Sequence, residues 1–216
     1  MIYDLHVHTH LSSDSSVKPE DYLAWINCTQ RDQIGMAGLV FVEHYENNKY
    51  SGQPADDYRL LEERFGLKIF RGLELDTDCG HLLYYGLTSR LGNLKMENGK
   101  FLAREVIEKT DKLYSIAVPA HPGRKFTGLV SYMNKLDELT PFRVIEQLNG
   151  GSTMEENKWA TTLALQKGFR GIGGSDAHYV TQVGKCLTRF TVPLKNEEDF
   201  IYHLHCGNYD AFCIDT

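Results

Sequence analysis

Eight short apolar runs alternate with helix-prone segments, and most of the runs end on a histidine or a carboxylate. The runs are Ile2–His8, Gly38–His44, Lys68–Asp76, His81–Gly86, Ser115–His121, Arg143–Asn149, Arg170–Asp176 and Cys186–Thr191. Pro19-Glu20-Asp21 opens the first helical segment, with Pro at an N1-like position and acids in the first turn. Pro54-Ala55-Asp56-Asp57 opens a second, which ends near Gly66. Leu102–Leu113 is a third, and Met154–Lys167 a fourth that Gly168 stops. Asn196-Glu197-Glu198 begins the last, which Gly207 stops. Strand–helix alternation at this spacing predicts an α/β fold with a mostly parallel sheet. About seven such units suit a closed or nearly closed barrel. An open doubly wound sheet fits the same pattern. With no repeat, low-complexity tract or flexible linker, one domain over residues 1–216 is expected.

Of 216 residues, 42% are hydrophobic and 24% charged, enough apolar material for a packed core. No apolar run approaches the roughly 18 residues of a membrane span. The start, Met1-Ile2-Tyr3-Asp4-Leu5-His6, has neither the basic nor the apolar region of a secretory signal. A net charge of -6 disfavours a long nucleic-acid footprint. The five cysteines, Cys28, Cys79, Cys186, Cys206 and Cys213, are widely spaced without a Cys-x-x-Cys. Reduced thiols in a cytoplasmic protein are therefore expected.

The nine histidines are not scattered. His6 and His8 close the first run, His44 the second and His121 a later one. Glu74 lies at the end of the third, and Asp176 and His178 follow the Arg170 run. Active sites of barrels and open α/β sheets are built at this edge, the C-terminal ends of the strands. Side chains alternate along a strand, so His6 and His8 share a face, with Asp4 one step deeper as a partner for a ligating imidazole. Mixed imidazole and carboxylate donors suit Zn, Mn or Fe better than Ca or Mg alone. A single His-x-His is more often a half-exposed strand than a metal site; five such features at five strand ends are not. His203 and His205, two apart on the last helix, point to different faces and read as solvated. His10 reads as a rim or exposed residue. Arg124 and Lys125, just after His121, are candidates for holding phosphate, Arg124 as a two-pronged fork. Asn149 is placed at the pocket, and Glu146, of different parity, off the metal site.

These residues resemble the polymerase-and-histidinol-phosphatase (PHP) superfamily of metal-dependent phosphoesterases. The motifs that carry the resemblance are Asp4-Leu5-His6-Val7-His8-Thr9 with Ser12-Ser13-Asp14-Ser15, Glu43-His44, and Arg71-Gly72-Leu73-Glu74. Gly80-His81 through Gly86, Ala120-His121-Pro122-Gly123-Arg124 and Gly174-Ser175-Asp176-Ala177-His178 complete the ordered set. The resemblance runs from residue 1 to about 184 and implies a distorted, TIM-like (β/α)7 barrel holding up to three divalent ions. By position, one ion takes His6, His8, Glu74 and Asp176. Glu74 bridges to a second, which takes His81 and His121. A third takes Asp14, His44 and His178. Glu43 stands where many relatives have Asp. The resemblance implies phosphate-ester hydrolysis by a metal-bridging hydroxide, with Glu74, His121, Asp176 and His178 as the catalytic set. A small phosphate monoester is the expected substrate, with loops Glu46–Asp56 and Gly123–Gly128 deciding which. An exonuclease or phosphodiesterase acting on oligonucleotide ends is the alternative, and a non-catalytic metal-binding module the third reading.

Overall fold

The computed structural model describes residues 1–30, 34–45, 58–86, 94, 96–110, 115–139 and 142–214. Its strands are β1 (Ile2–Val7), β2 (Met36–His44), β3 (Lys68–Thr77), β4 (Gly80–Tyr85), β5 (Met96–Glu97), β6 (Lys100–Phe101), β7 (Ile116–Pro119), β8 (Val144–Asn149), β9 (Arg170–Gly174), β10 (Cys186–Phe190) and β11 (Tyr209–Cys213). Its α-helices are α1 (Pro19–Trp25), α2 (Arg59–Phe65), α3 (Ala103–Thr110), α4 (Met154–Lys167) and α5 (Glu197–Cys206). No helix among the described residues is long and apolar enough to cross a membrane.

Local chemistry accounts for the helix ends. The Thr153 hydroxyl accepts the Glu156 N–H, and the Glu156 carboxylate accepts the Thr153 N–H, a reciprocal cap on α4. Gly168, at φ +70°, ends that helix in a conformation glycine adopts without steric cost. Asn196 caps α5 through the Asp199 N–H. The opening of the second expected helix, residues 54–57, lies outside the described residues, as do residues 111–113 of the third.

Among the described residues the strands are hydrogen-bonded as two sheets, and closure into one barrel is not shown. The larger sheet runs β11-β10-β1-β2-β3-β4-β7, with β5 and β6 attached at β3, while β8 and β9 form a separate parallel pair. β1, β2 and β3 are parallel, but β4 and β10 join antiparallel. The fold is therefore mixed α/β, and a mostly parallel closed barrel is not what these hydrogen bonds describe. β3 returns directly into β4 across Asp78 and Cys79, a connection too short for a crossover helix. The short β5 and β6, and β11 beyond α5, were not among the expected strands.

β11 also overturns the expectation of five free thiols. Its register sets Cys213 directly opposite Cys186 of β10, and the two are joined as a disulfide. Spacing of 27 residues gave no hint of this contact, which only the strand pairing creates. Cys28, Cys79 and Cys206 are not joined in disulfides.

Alternation along the strands divides the core. Tyr3, Leu5, Val40, Val42 and Phe70 face one way and meet Phe200 and Leu204 of α5. Phe200 stacks on Phe70 and meets Tyr85 edge-on, burying a large apolar surface in one place. Leu39, Phe41 and Ile69 face the other way and meet Tyr22, Leu23 and Ile26 of the first helical segment.

Asp4 ties the two sheets together. Buried completely, it accepts from the backbone N–H groups of Ser175 at 2.9 Å, Gly184 at 2.8 Å and His6 at 3.2 Å. Its expected role beside an imidazole is thus replaced by a role in the backbone. Burial outweighs these bonds and lifts its pKa to about 6. Asp4→Ala is expected to leave three buried donors unsatisfied and to destabilise the fold by about 3 kcal/mol or more. Urea unfolding of the variant against the unmodified chain measures this.

Candidate metal centre

The described strands deliver their chemistry to one edge. His6 and His8 come from the end of β1, and both are fully buried. His44 ends β2 in register with Glu74 of β3. The β3–β4 return places His81 beside Asp76. His121 follows β7, Asp176 and His178 follow β9, and Asp14 lies in the loop after β1. The backbone at His121 and Asp176 has φ +28° and +54°, left-handed values that cost roughly 1–3 kcal/mol each in a non-glycine residue. The Asp176 N–H donates to the carbonyl of His6 at 2.7 Å, which draws the β9 turn onto the end of β1.

Glu74, 2% exposed, is the hub. Its Oε1 lies 2.7 Å from His81 Nδ1 and 2.9 Å from His121 Nε2. Its Oε2 lies 3.3 Å from His8 Nε2, 3.5 Å from His6 Nε2 and 3.5 Å from His44 Nδ1. Asp176 Oδ1 lies 3.4 Å from His6 Nε2 and 3.3 Å from His8 Nε2. Asp14 Oδ2 sits between His44 Nε2 at 3.1 Å and His178 Nε2 at 2.9 Å.

All nine ligand candidates named from the sequence therefore meet, in three groups whose donor atoms lie within 4.8 Å of one another. The groups are His6, His8, Glu74 and Asp176; Glu74, His81 and His121; and His8, Asp14, His44 and His178. The partition differs in one respect, because His8 reaches the third group as well as the first. The donor set fits divalent cations. His6 Nε2 and His8 Nε2 face each other at 3.0 Å, where one proton at most serves both lone pairs. Two buried carboxylates stand beside them, and His121 Nδ1 is buried with no hydrogen-bond partner among the described residues. A shared cation satisfies such converging donors as protons cannot.

Electrostatics without metal point the same way. Burial opposes charge on His8, yet hydrogen bonds to Asp176 and Glu74 outweigh it and lift the pKa to about 9. Burial likewise opposes ionisation of Glu74, but its bonds to His121 and His6 hold the carboxyl well below the usual range. Asp176 behaves alike, with the charge of His6 and the bond to His8 overcoming burial. Protons here stand in for positive charge.

A second layer holds the imidazoles. The Ser12 hydroxyl donates to Glu43 Oε2 at 2.5 Å and faces His8 Nδ1 at 3.3 Å. Glu43 also accepts from Thr9, so the longer acid at this position secures the loop after β1. His178 Nδ1 faces the Asp176 carbonyl at 3.0 Å, leaving Nε2 toward Asp14.

Glu146, which strand parity set aside, belongs to this layer. Fully buried, its Oε1 lies 2.9 Å from His6 Nδ1. The parity argument failed because β8 carries a bulge. Glu146 pairs with Ile172 and Leu148 with Gly173, so Gln147 is an extra residue that resets the alternation. Glu146 and Asn149, three apart, consequently meet through a 2.9 Å hydrogen bond. A bulge leaves no mark in the apolar pattern of a six-residue run.

Arg124 donates from Nη2 to Asp176 Oδ2 and Asn149 Oδ1, both at 2.7 Å, and from Nε to Ser152 Oγ at 3.0 Å. Only Nη1 stays uncommitted among the described residues, so the expected two-pronged grip narrows to one prong. His10 is exposed and belongs to none of the three groups. His203 and His205 are also outside them. His203 is packed rather than solvated, 3.5 Å from Asp199, while His205 is exposed and reaches the Ser115 carbonyl. Of the two loops expected to select substrate, 123–128 is described and 46–56 lies outside the described residues.

The PHP-associated family model, PHP_C, matches residues 154–209, which contain Asp176 and His178. No curated protein matches the sequence at a significant level. Among solved structures, PsfC from Pseudomonas syringae PB-5123 is similar with a TM-score of 0.69 and 20% identity, over 99% of this chain and 91% of that one. A protein of Bifidobacterium adolescentis, provisionally named a metal-dependent phosphoesterase, is similar with a TM-score of 0.56 and 16% identity, over 82% and 87% of the two chains. An amidohydrolase from Chromobacterium violaceum, solved with bound sulfate and no metal, gives 0.59 and 14% over the same shares. At these identities the structures speak for the fold, and the family match for its C-terminal quarter. The family match itself covers residues 154–209, and the ordered ligand motifs converge at the strand ends of a fold these structures share.

Proposed function

We propose that this chain is a metal-dependent hydrolase of phosphate esters, acting on a small phosphate monoester with up to three divalent ions of Zn, Mn or Fe. One observation carries the reading: the two oxygens of buried Glu74 face different sets of imidazoles, the arrangement of a carboxylate shared by two cations. Bound ions there would supply Lewis acidity, lowering the pKa of a coordinated water from 15.7 toward about 7 and countering charge on phosphoryl oxygens. The rest falls to the protein. Glu74, Asp176 and Asp14 offset the positive charge of the centre. His6, His8, His44, His81, His121 and His178 present ring nitrogens without obliging the backbone to move. Arg124 Nη1, on a side chain one-quarter exposed, is placed to engage one phosphate oxygen, and Lys125 adds charge beside it. The sulfate in the Chromobacterium violaceum relative supports the reading, since sulfate shares the tetrahedral shape and charge of phosphate. The acidic balance favours a small substrate over a long nucleic acid.

Chromogenic phosphate mono- and diesters, assayed with added Mn or Zn, test this. Monoester hydrolysis that vanishes with chelator is expected; hydrolysis of diesters alone would favour the oligonucleotide reading, and no hydrolysis of either a non-catalytic module. Glu74→Gln keeps the shape but removes the shared charge. It is expected to lower metal content and to reduce turnover by orders of magnitude with the fold intact, while His203→Ala stays near the unmodified level. Elemental analysis and initial rates on both variants decide it.

Metal affinity is expected to rise with pH. Below about 9 His8 carries a proton in the metal-free protein, and that proton must leave before its nitrogen can ligate. Apparent affinity should climb by about tenfold per pH unit for each proton released, the contribution of His8 ending above about pH 9. Chelator competition from pH 6.5 to 9.5 measures the slope, and a flat profile would contradict the ligand assignment of His8.

A further inference from the structure

Glu146 is a carboxylate with no solvent exposure and no place in the donor set, yet all its contacts lead to ligands. Oε1 lies 2.9 Å from His6 Nδ1. Oε2 accepts the backbone N–H of His121 at 2.7 Å, where φ is +28°, and the Nδ2–H of Asn149 at 2.9 Å. Asn149 Oδ1 in turn accepts from Arg124 Nη2, which also donates to Asp176 Oδ2. Asp176 Oδ1 and His6 Nε2 then face each other at 3.4 Å across the first metal group. The five side chains His6, Glu146, Asn149, Arg124 and Asp176 thus form a closed polar ring that passes through the centre.

We propose that Glu146 is the positioning residue of this centre, fixing the tautomer and ring direction of His6 and holding the strained turn that presents His121. The inference rests on the metal-dependent reading above. A carboxylate only accepts hydrogen bonds, so Oε1 keeps a proton on His6 Nδ1 and leaves the Nε2 lone pair for a cation. The same residue serves the second group through the His121 backbone. One buried side chain therefore couples ligands of two ions that Glu74 already shares.

Glu146→Gln tests the tautomer argument while keeping volume. With its amide oxygen in the Oε2 position, Gln still accepts from His121 and Asn149. Its amide nitrogen then faces His6 Nδ1 as a donor, which forces that nitrogen to accept and moves the ring proton to Nε2. Turning the amide over would set its nitrogen against two donors. Partners of this type typically change metal affinity by about 10–100-fold. For Glu146→Gln we expect a loss of that size for the ion held by His6, with zinc as probe and a competing chelator as readout. The group of His8, Asp14, His44 and His178, none of which Glu146 touches, should keep its affinity and serves as the internal standard.

A measurement on the unmodified protein avoids reliance on the variant's folding. In a long-range proton–nitrogen spectrum of the zinc-loaded chain, His6 should carry its proton on Nδ1 and its metal on Nε2. Equal zinc affinity in Glu146→Gln, or a His6 with metal on Nδ1, would overturn the positioning role and leave the metal reading standing. Failure of the unmodified chain to bind zinc at all would overturn both.

Discussion

Glu74, almost wholly buried, sets two oxygens among five imidazoles. A carboxylate so placed is stable only if positive charge is always nearby, and the imidazoles are tolerable together only if something stops them repelling one another. Metal-free, the protein meets both demands with protons, which is why His8 holds its proton to about pH 9 while Glu74 stays ionised. Divalent ions meet the same demands with more charge in less space. The centre is a buried charge balance first, and the proposed hydrolysis would draw on that balance.

The rest of the fold serves to bring these groups to one edge. Parallel β1, β2 and β3 place His6, His8, His44 and Glu74 at their C-terminal ends. The β3–β4 return, which departs from a regular strand–helix–strand unit, is what brings His81 within 2.7 Å of Glu74. The separate β8–β9 pair is bound to β1 through Asp4 and through the His6 carbonyl, so Asp176 and His178 arrive from a different sheet without a continuous ladder. Two ligands sit on left-handed backbone, His121 and Asp176, and both are held by hydrogen bonds from the N–H of that strained residue. Strain is concentrated where side chains must be aimed.

A second layer decides which nitrogen of each imidazole faces inward. Ser12 backed by Glu43 meets His8, Glu146 meets His6, and the Asp176 carbonyl meets His178. Arg124 belongs to this layer, because two of its three nitrogens are committed to Asp176, Asn149 and Ser152.

Seven of the nine ligand candidates, His6, His8, His44, Glu74, His121, Asp176 and His178, were legible in the primary structure because they lie at or just beyond the ends of runs whose period marks them as strands. Asp14, in a loop, and His81, at the start of a run, were legible only through the motif resemblance. The α4 boundaries were legible directly, since a Thr–Glu cap and a stopping glycine act within one turn. What tertiary structure alone decided was every relation between distant strands. Parity placed Glu146 off the site, and the bulge at Gln147 brought it in. Spacing separated Cys186 from Cys213, and the register of β10 with β11 joined them. Asp4 read as an imidazole's partner, and the approach of residues 175 and 184 made it a backbone anchor. Apolar periodicity encodes which way a side chain points within an unbroken run. It carries no information on where a ladder slips by one residue or which strand lies alongside, because both depend on packing energies summed over the whole core.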